Sequence, residues 1–346
     1  SDLIRRACRA YAERFIGVMT EEFKRLMVFG DWAHPYVTMS YRYQADIARS
    51  LATMVDRGLV YKGKKPVHWC IHCRTALAEA EVEYEDHTSP SIYVEFPLPA
   101  ANAADLIARV PELAGREIAV LIWTTTPWTI PSNLAVAFHP EFDYAAYLVE
   151  GRALIVAEGL AARVAAATGL ALESPVAKMK GADLEGLSFR HPLYERDSLG
   201  VTADYVTLEA GTGAVHTAPG HGADDFLTGK RYGLDIYAPV GPDGRFLDTV
   251  ELFAGERVSE ANPKVEEALK ARGRLKHRET FSHQYPHCWR CHNPVIFLAT
   301  SQWFVRMDGD PVITGADGVR RTLRQAAQHA IDHEVRWIPS WGHDRI

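Results

Sequence analysis

His68-Trp69-Cys70-Ile71-His72-Cys73 carries one half of a metal-binding pattern, and its reading decides the fold. A Cys-x-x-Cys turn presents two thiolates to one ion, and zinc takes four such ligands in a tetrahedron. The other half is Cys288-Trp289-Arg290-Cys291, and 215 positions separate Cys73 from Cys288. Cys70, Cys73, Cys288 and Cys291 are therefore the candidate ligands of one Zn2+ per chain. For both pairs to share an ion, the ends of everything between them must meet. Residues 92–281 then form a domain inserted into a zinc ribbon made of residues 67–91 and 282–299. A closed shell of four thiolates has no position for water, so the metal is expected to be structural. His68, His72, His283, His287 and His292 crowd the two turns, and any of them can stand in for a cysteine. Two independent redox or free-thiol pairs are the other reading of the same residues.

Outward from the turns, residues 92–281 read as strands mixed with short helices. Residues 144–149 and 153–156 form a hairpin that turns at Glu150-Gly151, and 158–168 a helix closed by Gly169. Residues 205–208 and 214–217 read as strands, and 223–232 as a helix. Strands and helices do not alternate regularly. The expected fold class is α+β, with a curled or closed β-barrel-like sheet and surrounding helices, in preference to a doubly wound sheet.

Residues 1–66 read as mostly helical. An amphipathic helix covers 2–29, and Cys8 falls on its apolar stripe as a buried small hydrophobe. A second helix starts at Ser40, buries Ile47, Leu51, Met54 and Val55, and stops at Gly58. Residues 58–64 match a P-loop superficially, but Lys65 stands where a magnesium-ligating Ser or Thr is needed. They are read as a solvated basic turn. Residues 300–346 hold an apolar strand at Trp303-Phe-Val305 and a basic helix with Arg320, Arg321 and Arg324. The stop soon after Trp341 is read as that of a piece of a longer protein.

The bulk properties narrow the class. A chain of 346 residues is expected to hold two or more domains. Five cysteines in this spacing do not make a secreted disulfide framework. No apolar run is long enough to span a bilayer and no signal-peptide profile is present, so the expectation is a cytoplasmic protein with no membrane partner. The net charge is −6, so any surface for nucleic acid must be local.

Two stretches carry candidate chemistry. Leu121-Ile-Trp-Thr-Thr-Thr-Pro-Trp-Thr129 runs a hydrophobic strand into three hydroxyls. Pro127 removes a ladder donor and biases Thr126 towards extended backbone, so the threonines end a strand and line a loop. Three hydroxyls beside an indole make a half-apolar corner able to hold a polar ligand, although threonines also satisfy loose backbone groups at strand ends. Gly211-Thr-Gly-Ala-Val-His216-Thr-Ala-Pro-Gly-His-Gly-Ala-Asp224-Asp225 is the second. Glycines allow close approach to the backbone. One aspartate is accounted for by helix capping, which leaves the other free to face a ligand. Thr124, Thr125, Thr126, Trp128, His216 and Asp225 together suggest recognition of something small with a positive amine. No serine elbow or zinc-protease helix is present, so hydrolysis here would use a positioned water. A rival is a zinc deaminase built on His139-Pro-Glu141 and a cysteine pair, but it leaves the second pair unexplained.

At these residues the chain resembles bacterial-type isoleucyl-tRNA synthetases, which are class I aminoacyl-tRNA synthetases. The resemblance covers essentially the whole chain. It rests on Gly30-Asp-Trp-Ala-His-Pro-Tyr, Lys65-Pro-Val-His-Trp-Cys70, Thr124-Thr-Thr-Pro-Trp-Thr, the Gly211 to Gly222 stretch, Cys288-Trp-Arg-Cys291 and Trp303-Phe-Val. Thr126, where the valyl and leucyl enzymes carry arginine, favours the isoleucyl group. The family's His-x-Gly-His and Lys-Met-Ser-Lys-Ser motifs are missing; Lys178-Met-Lys180 is a poor imitation. The resemblance therefore implies an editing domain at 92–281, its zinc stalk, and pieces of the class I catalytic core at 1–66 and 300–346. ATP and Mg2+ would belong to the full-length parent only. By motif, Asp225 would bind the amino acid's ammonium, Thr124, Thr125 and Thr126 would place ester and water, and Trp128 and His216 would shape the side-chain pocket. The implied partners are the acceptor end of isoleucine tRNA and a valine or other small amino-acid ester, acted on by a monomer. A catalytically silent, zinc-stapled tRNA-binding scaffold is the alternative.

Overall fold

The computed structural model describes residues 2–346, in two compact units. One unit is Lys64–Gln302; the other combines the stretch up to Gly63 with Trp303–Ile346. The second unit contains helices α1 (Asp2–Arg25) and α2 (Tyr41–Asp56). Ser40 caps α2 by accepting the Tyr43 amide at 3.2 Å, and Gly58 at φ +67° follows its end, as the sequence predicts. The expected burial is not met. Ile47, Leu51 and Val55 are more than half exposed, and Cys8 is exposed on α1. Periodicity decides which residues share a helix face but supplies no surface to cover it, and none of these side chains is covered by the described residues. Arg320 and Arg321 are not helical: they form a two-residue strand paired with Ile313–Thr314, and the helix begins at Leu323.

Strand β1 (Val60–Cys70) starts two residues after Gly58, so the expected basic turn at 58–64 is mostly strand. It turns at the first cysteine pair and pairs with β2 (Thr75–Leu77). The strands that follow are β3 (Val82–Leu98), β4 (Glu117–Thr124), β5 (Ala135–Phe138), β6 (Asp143–Val149), β7 (Arg152–Ala157) and β8 (Pro175–Lys180). Then come β9 (Ser188–Arg190), β10 (Asp197–Thr202), β11 (Ala214–Thr217) and β12 (Leu275–Cys288). The helices among them that bear on the site are α3 (Ala223–Arg231) and α4 (Val258–Ala271).

β1 and β2 form a three-stranded sheet with Ile296–Val305, and β3 to β12 make a mixed α/β unit with two further sheets. The larger has the order β12-β3-β4-β7-β6-β8 and the smaller β11-β5-β10-β9. All neighbours are antiparallel except β4 with β7 and β5 with β10. No ladder joins β12 to β8 among the described residues, so the larger sheet is open and the closed form of the expected barrel is absent. β4 is covered on both faces, which is why Ile118 to Ile122 is a continuous apolar run without alternation. The hairpin at Glu150-Gly151 has both residues at positive φ, and Gly169 at φ +73° ends the helix before it, both as the sequence predicts. Residues 205–208 are not a strand but a loop, while β10 carries the pairing.

β3 and β12 form one long antiparallel ribbon, from Val82 opposite Cys288 to Val94 opposite Leu275. It runs from the cysteine turns into the larger sheet, with one bulge between Leu275 and His277. Pro90 is tolerated inside β3 because β4 joins only from Ile92 onward, so at Pro90 the strand has a partner on one side alone. Where the ribbon meets the sheet, Glu95 is 1% exposed and is met by Arg152, Arg274 and Lys276 at 3.1, 2.7 and 3.2 Å. Three cations around one buried carboxylate tie β3, β7 and β12 together.

Candidate functional site

The two stretches singled out in the sequence meet. Thr124 ends β4, and Pro127–Ser132 continues as a buried 3-10 turn. The Thr126 amide donates to Thr124 Oγ1 at 3.1 Å, and the two threonine hydroxyls stand 3.3 Å apart. Part of the threonine cluster therefore satisfies local backbone, as threonines at strand ends do. His216 is on β11, and Thr124, Thr125, Thr126, Trp128, His216 and Asp225 all border one hollow of about 450 Å3.

The carboxylate splits its duties. Asp224 is exposed, whereas Asp225, half-buried in the first turn of α3, accepts the Ala218 amide on Oδ2 at 2.8 Å. One bond to backbone leaves the other oxygen for a ligand. Burial pushes the Asp225 carboxyl up to about 6, against the pull of the Ala218 amide and with the help of Asp224. The carboxylate lies against Gly222, where a Cβ would come within 2.7 Å of it. Gly213, at φ +77°, lets the loop before β11 pass Ala157, which an added Cβ would meet at 2.3 Å.

The histidines are neutral. Burial holds His216 down to about 4, and its Nε2 lies 3.0 Å from Thr129 Oγ1. Thr129 Oγ1 donates to Thr126 O at 2.8 Å, so the bond from His216 must be an N–H donation and the proton sits on Nε2. His221 also borders the hollow, is held near 4 by burial, donates from Nδ1 to Phe297 O at 3.0 Å and meets Trp128 edge-on at 5.0 Å. The sequence reading gave His221 no role; only its place between Gly220 and Gly222 hinted at one. Asn262, which accepts the Trp128 amide at 2.9 Å, left no signal because it lies 134 positions away on α4.

The candidate metal site is built from the cysteines alone. The Sγ atoms of Cys70, Cys73, Cys288 and Cys291 all lie within 4.8 Å of one another. Four sulfurs held on a tetrahedron at ~2.3 Å from a zinc ion stand about 3.8 Å apart, so the donor set fits one ion. Cys70 and Cys288 are fully buried, with Leu77 and Val295 around them, and the Cys73 amide donates to Cys70 Sγ at 3.3 Å. Burial pushes the Cys70 thiol up to about 12. A cation is what would make such a buried thiolate stable. Neither His68, His72, His283 nor His287 joins the four sulfurs; His292 instead lies 3.4 Å from both Glu83 and Glu85. His139 and Glu141 belong to no metal-capable group among the described residues, and His139 stacks on Phe142. The deaminase reading has no site.

Among the described residues, no helix is long and apolar enough to cross a membrane. The isoleucine–tRNA ligase of Nitratidesulfovibrio vulgaris strain DP4 is 51% identical over 343 residues, which is 99% of this chain and 35% of that protein. The isoleucine–tRNA ligase of Geobacter sulfurreducens is 50% identical over 343 residues, with the same coverage. This chain thus spans about a third of the length of the curated relatives it matches. Among solved structures, the cytosolic leucyl-tRNA synthetase editing domain of P. knowlesi aligns at 13% identity with a TM-score of 0.42, over 57% of this chain and 96% of that one. GlLeuRS-CP1 aligns at 16% identity with a TM-score of 0.46, over 55% and 99%. Both likenesses are too weak to argue from. The model of the family described as tRNA synthetases class I (I, L, M and V) matches residues 1–346. The chain belongs to the class I tRNA synthetases.

Proposed function

We propose that this chain is the editing portion of an isoleucine–tRNA ligase, and that it hydrolyses valine wrongly esterified to isoleucine tRNA. The observation that carries the reading is the hollow bordered by both the threonine corner and Asp225. In it, the Asp225 carboxylate binds the ammonium of the amino acid through a charge-assisted hydrogen bond. The hydroxyls of Thr124, Thr125 and Thr126 orient the ester and a water. Water adds to the ester carbonyl, the bond to the ribose oxygen breaks, and valine and uncharged tRNA leave; no protein nucleophile is consumed. Neutral His216 and Trp128 line the side-chain end. A neutral imidazole there adds no second cation to compete with the ammonium for Asp225.

The reading also explains why a second site is needed. One methylene changes binding by only about 1–3 kcal/mol, and isoleucine against valine is the standing illustration of that limit. A hollow too small for isoleucine removes what a first site admits.

On this reading residues 92–281 are the editing domain, 67–91 and 282–299 its zinc stalk, and 1–66 and 300–346 parts of the catalytic core. The four cysteines hold one structural zinc ion. Isoleucine activation, with ATP and Mg2+, belongs to the longer relatives, and the setting is a cytoplasmic monomer. Incubation of the chain with valyl-tRNA of the isoleucine acceptor tests the function. Valine release is expected to fall at least about a hundredfold in Asp225→Ala. Equal release by Asp225→Ala ends the role given to this residue. Binding of tRNA without release supports the silent scaffold instead.

A further inference from the structure

The 3-10 turn Pro127–Ser132 has all six residues buried, contains two prolines and has no side-chain cap of its own. It nevertheless fixes the two residues that matter most for the corner: Trp128 itself, and Thr129, whose hydroxyl joins Thr126 O to His216. Its support comes from remote elements. At the leading end, Asn262 Oδ1 accepts the Trp128 amide at 2.9 Å. At the trailing end, His191 Nε2 donates to Ile130 O at 2.9 Å, and Arg196 donates to Pro131 O. The His191 tautomer is fixed, because its Nδ1 accepts the amides of Leu193 and Tyr194 at 3.0 and 3.2 Å, which leaves the proton on Nε2. The Arg196 guanidinium lies 5.2 Å from the Tyr194 ring and 5.3 Å from the Tyr237 ring.

At the leading end the Trp128 amide has one acceptor, Asn262 Oδ1, beside the local bonds among Thr124, Thr126 and Thr129. A 3-10 turn leaves its first amides without partners inside the turn, and Pro127 has no N–H, so Trp128 presents the first free one. Asn262 takes it from a helix anchored in the core by Val258, Ala261, Val265 and Leu269. The segment Thr125, Thr126 and Trp128 is also a wall with space on both sides, for it borders a second cavity of about 320 Å3 that Asn262 lines as well. Trp128 packs its ring in the main core, so Asn262 acts on the backbone of the turn and not on the ring. We infer that Asn262 is a positioning residue for the hydrolysis proposed above: through the Trp128 amide it sets how far the threonine corner stands from Asp225. His191 and Arg196 hold the other end of the same turn. The inference rests on the proposed reaction.

The test compares wild-type chain, Asn262→Ala and Asn262→Asp, measuring kcat and KM for valyl-tRNA hydrolysis and hydrogen exchange at the Trp128 amide by NMR. A misplaced corner lowers turnover more than binding, so Asn262→Ala is expected to reduce kcat at least about tenfold with KM within about twofold. Its Trp128 amide should exchange faster. Asn262→Asp, whose carboxylate still accepts that amide, should recover most of the turnover and the protection. A purely structural role would lower the folded fraction without this split or this rescue. Should Asn262→Ala fail to fold, Asn262→Ser, too short to reach the amide, takes its place. Unchanged kcat in the variant, or a lower kcat with Trp128 still protected, overturns the inference. A wild-type chain that releases no valine overturns the proposed function instead.

Discussion

Asp225 stands in the first turn of α3, where a carboxylate would ordinarily be ionised and content with backbone amides. Instead its proton is held to about pH 6 by burial. Two consequences follow with definite signs. The folded chain keeps this proton above pH 4, where the unfolded chain has begun to lose it, so the unfolded state binds fewer protons and stability falls as pH rises from about 4 to about 6. Asp225→Asn removes that dependence and is expected to raise stability at pH 7 by on the order of 1 kcal/mol, read as the urea midpoint, while losing hydrolysis. Binding an ammonium needs the ionised form, so kcat/KM of the wild type should rise through about pH 6, once background ester hydrolysis is subtracted. A flat profile across that range would separate Asp225 from the ligand. Glu95 is the contrasting case, a buried carboxylate matched to three cations and outside the lining of the threonine hollow. Glu95→Gln should destabilise by about 2–4 kcal/mol in urea unfolding, discounted because the arginines keep some contact with water, with kcat per folded molecule unchanged.

Among the elements, the β3/β12 ribbon is the one that joins chemistry to framework. The sequence pattern located one of its ends through the cysteine turns, but not its length. Val82 to Ser89 is rich in charge because one side of that part of the strand has no neighbour, so burial left no alternation to read. A similar cause hid β10. Gly200 interrupts its apolar pattern, and only the structure shows why: an added Cβ would lie 2.2 Å from Leu184 O. The loop at 205–208 has strand-like residues yet gains no ladder. The threonine corner, the His216 strand and the Asp225 helix were legible because each combines a strong local pattern with unusual chemistry. Asn262 and His191 were not, since a support acting across the fold leaves no trace in local spacing. Metal dependence belongs at this scale. The cysteine cluster and the main core are separate groups of buried residues, so loss of metal should loosen one end of the ribbon without dissolving the larger sheet. Elemental analysis should find one zinc per chain. Cys288→Ser should lose it and become sensitive to protease near the cysteine turns, with the protection of β4 and β7 retained. Full metal content in that variant would refute the shared site.

At the scale of the molecule, a net charge of −6 means that the tRNA affinity required by the proposed function would have to come from local basic surface, and it should fall steeply with salt. Nothing in that weak, general attraction distinguishes one esterified amino acid from another. On the proposed function, discrimination has to arise inside the hollow, where Asp225 would fix the ammonium and the far wall would limit the side chain. The most direct measurement is the ratio of kcat/KM for hydrolysis of valyl and isoleucyl esters of the same isoleucine tRNA by this chain. The account predicts a preference for the valyl ester of at least about tenfold, as a single methylene excluded by size allows. Equal hydrolysis of the two esters would contradict it.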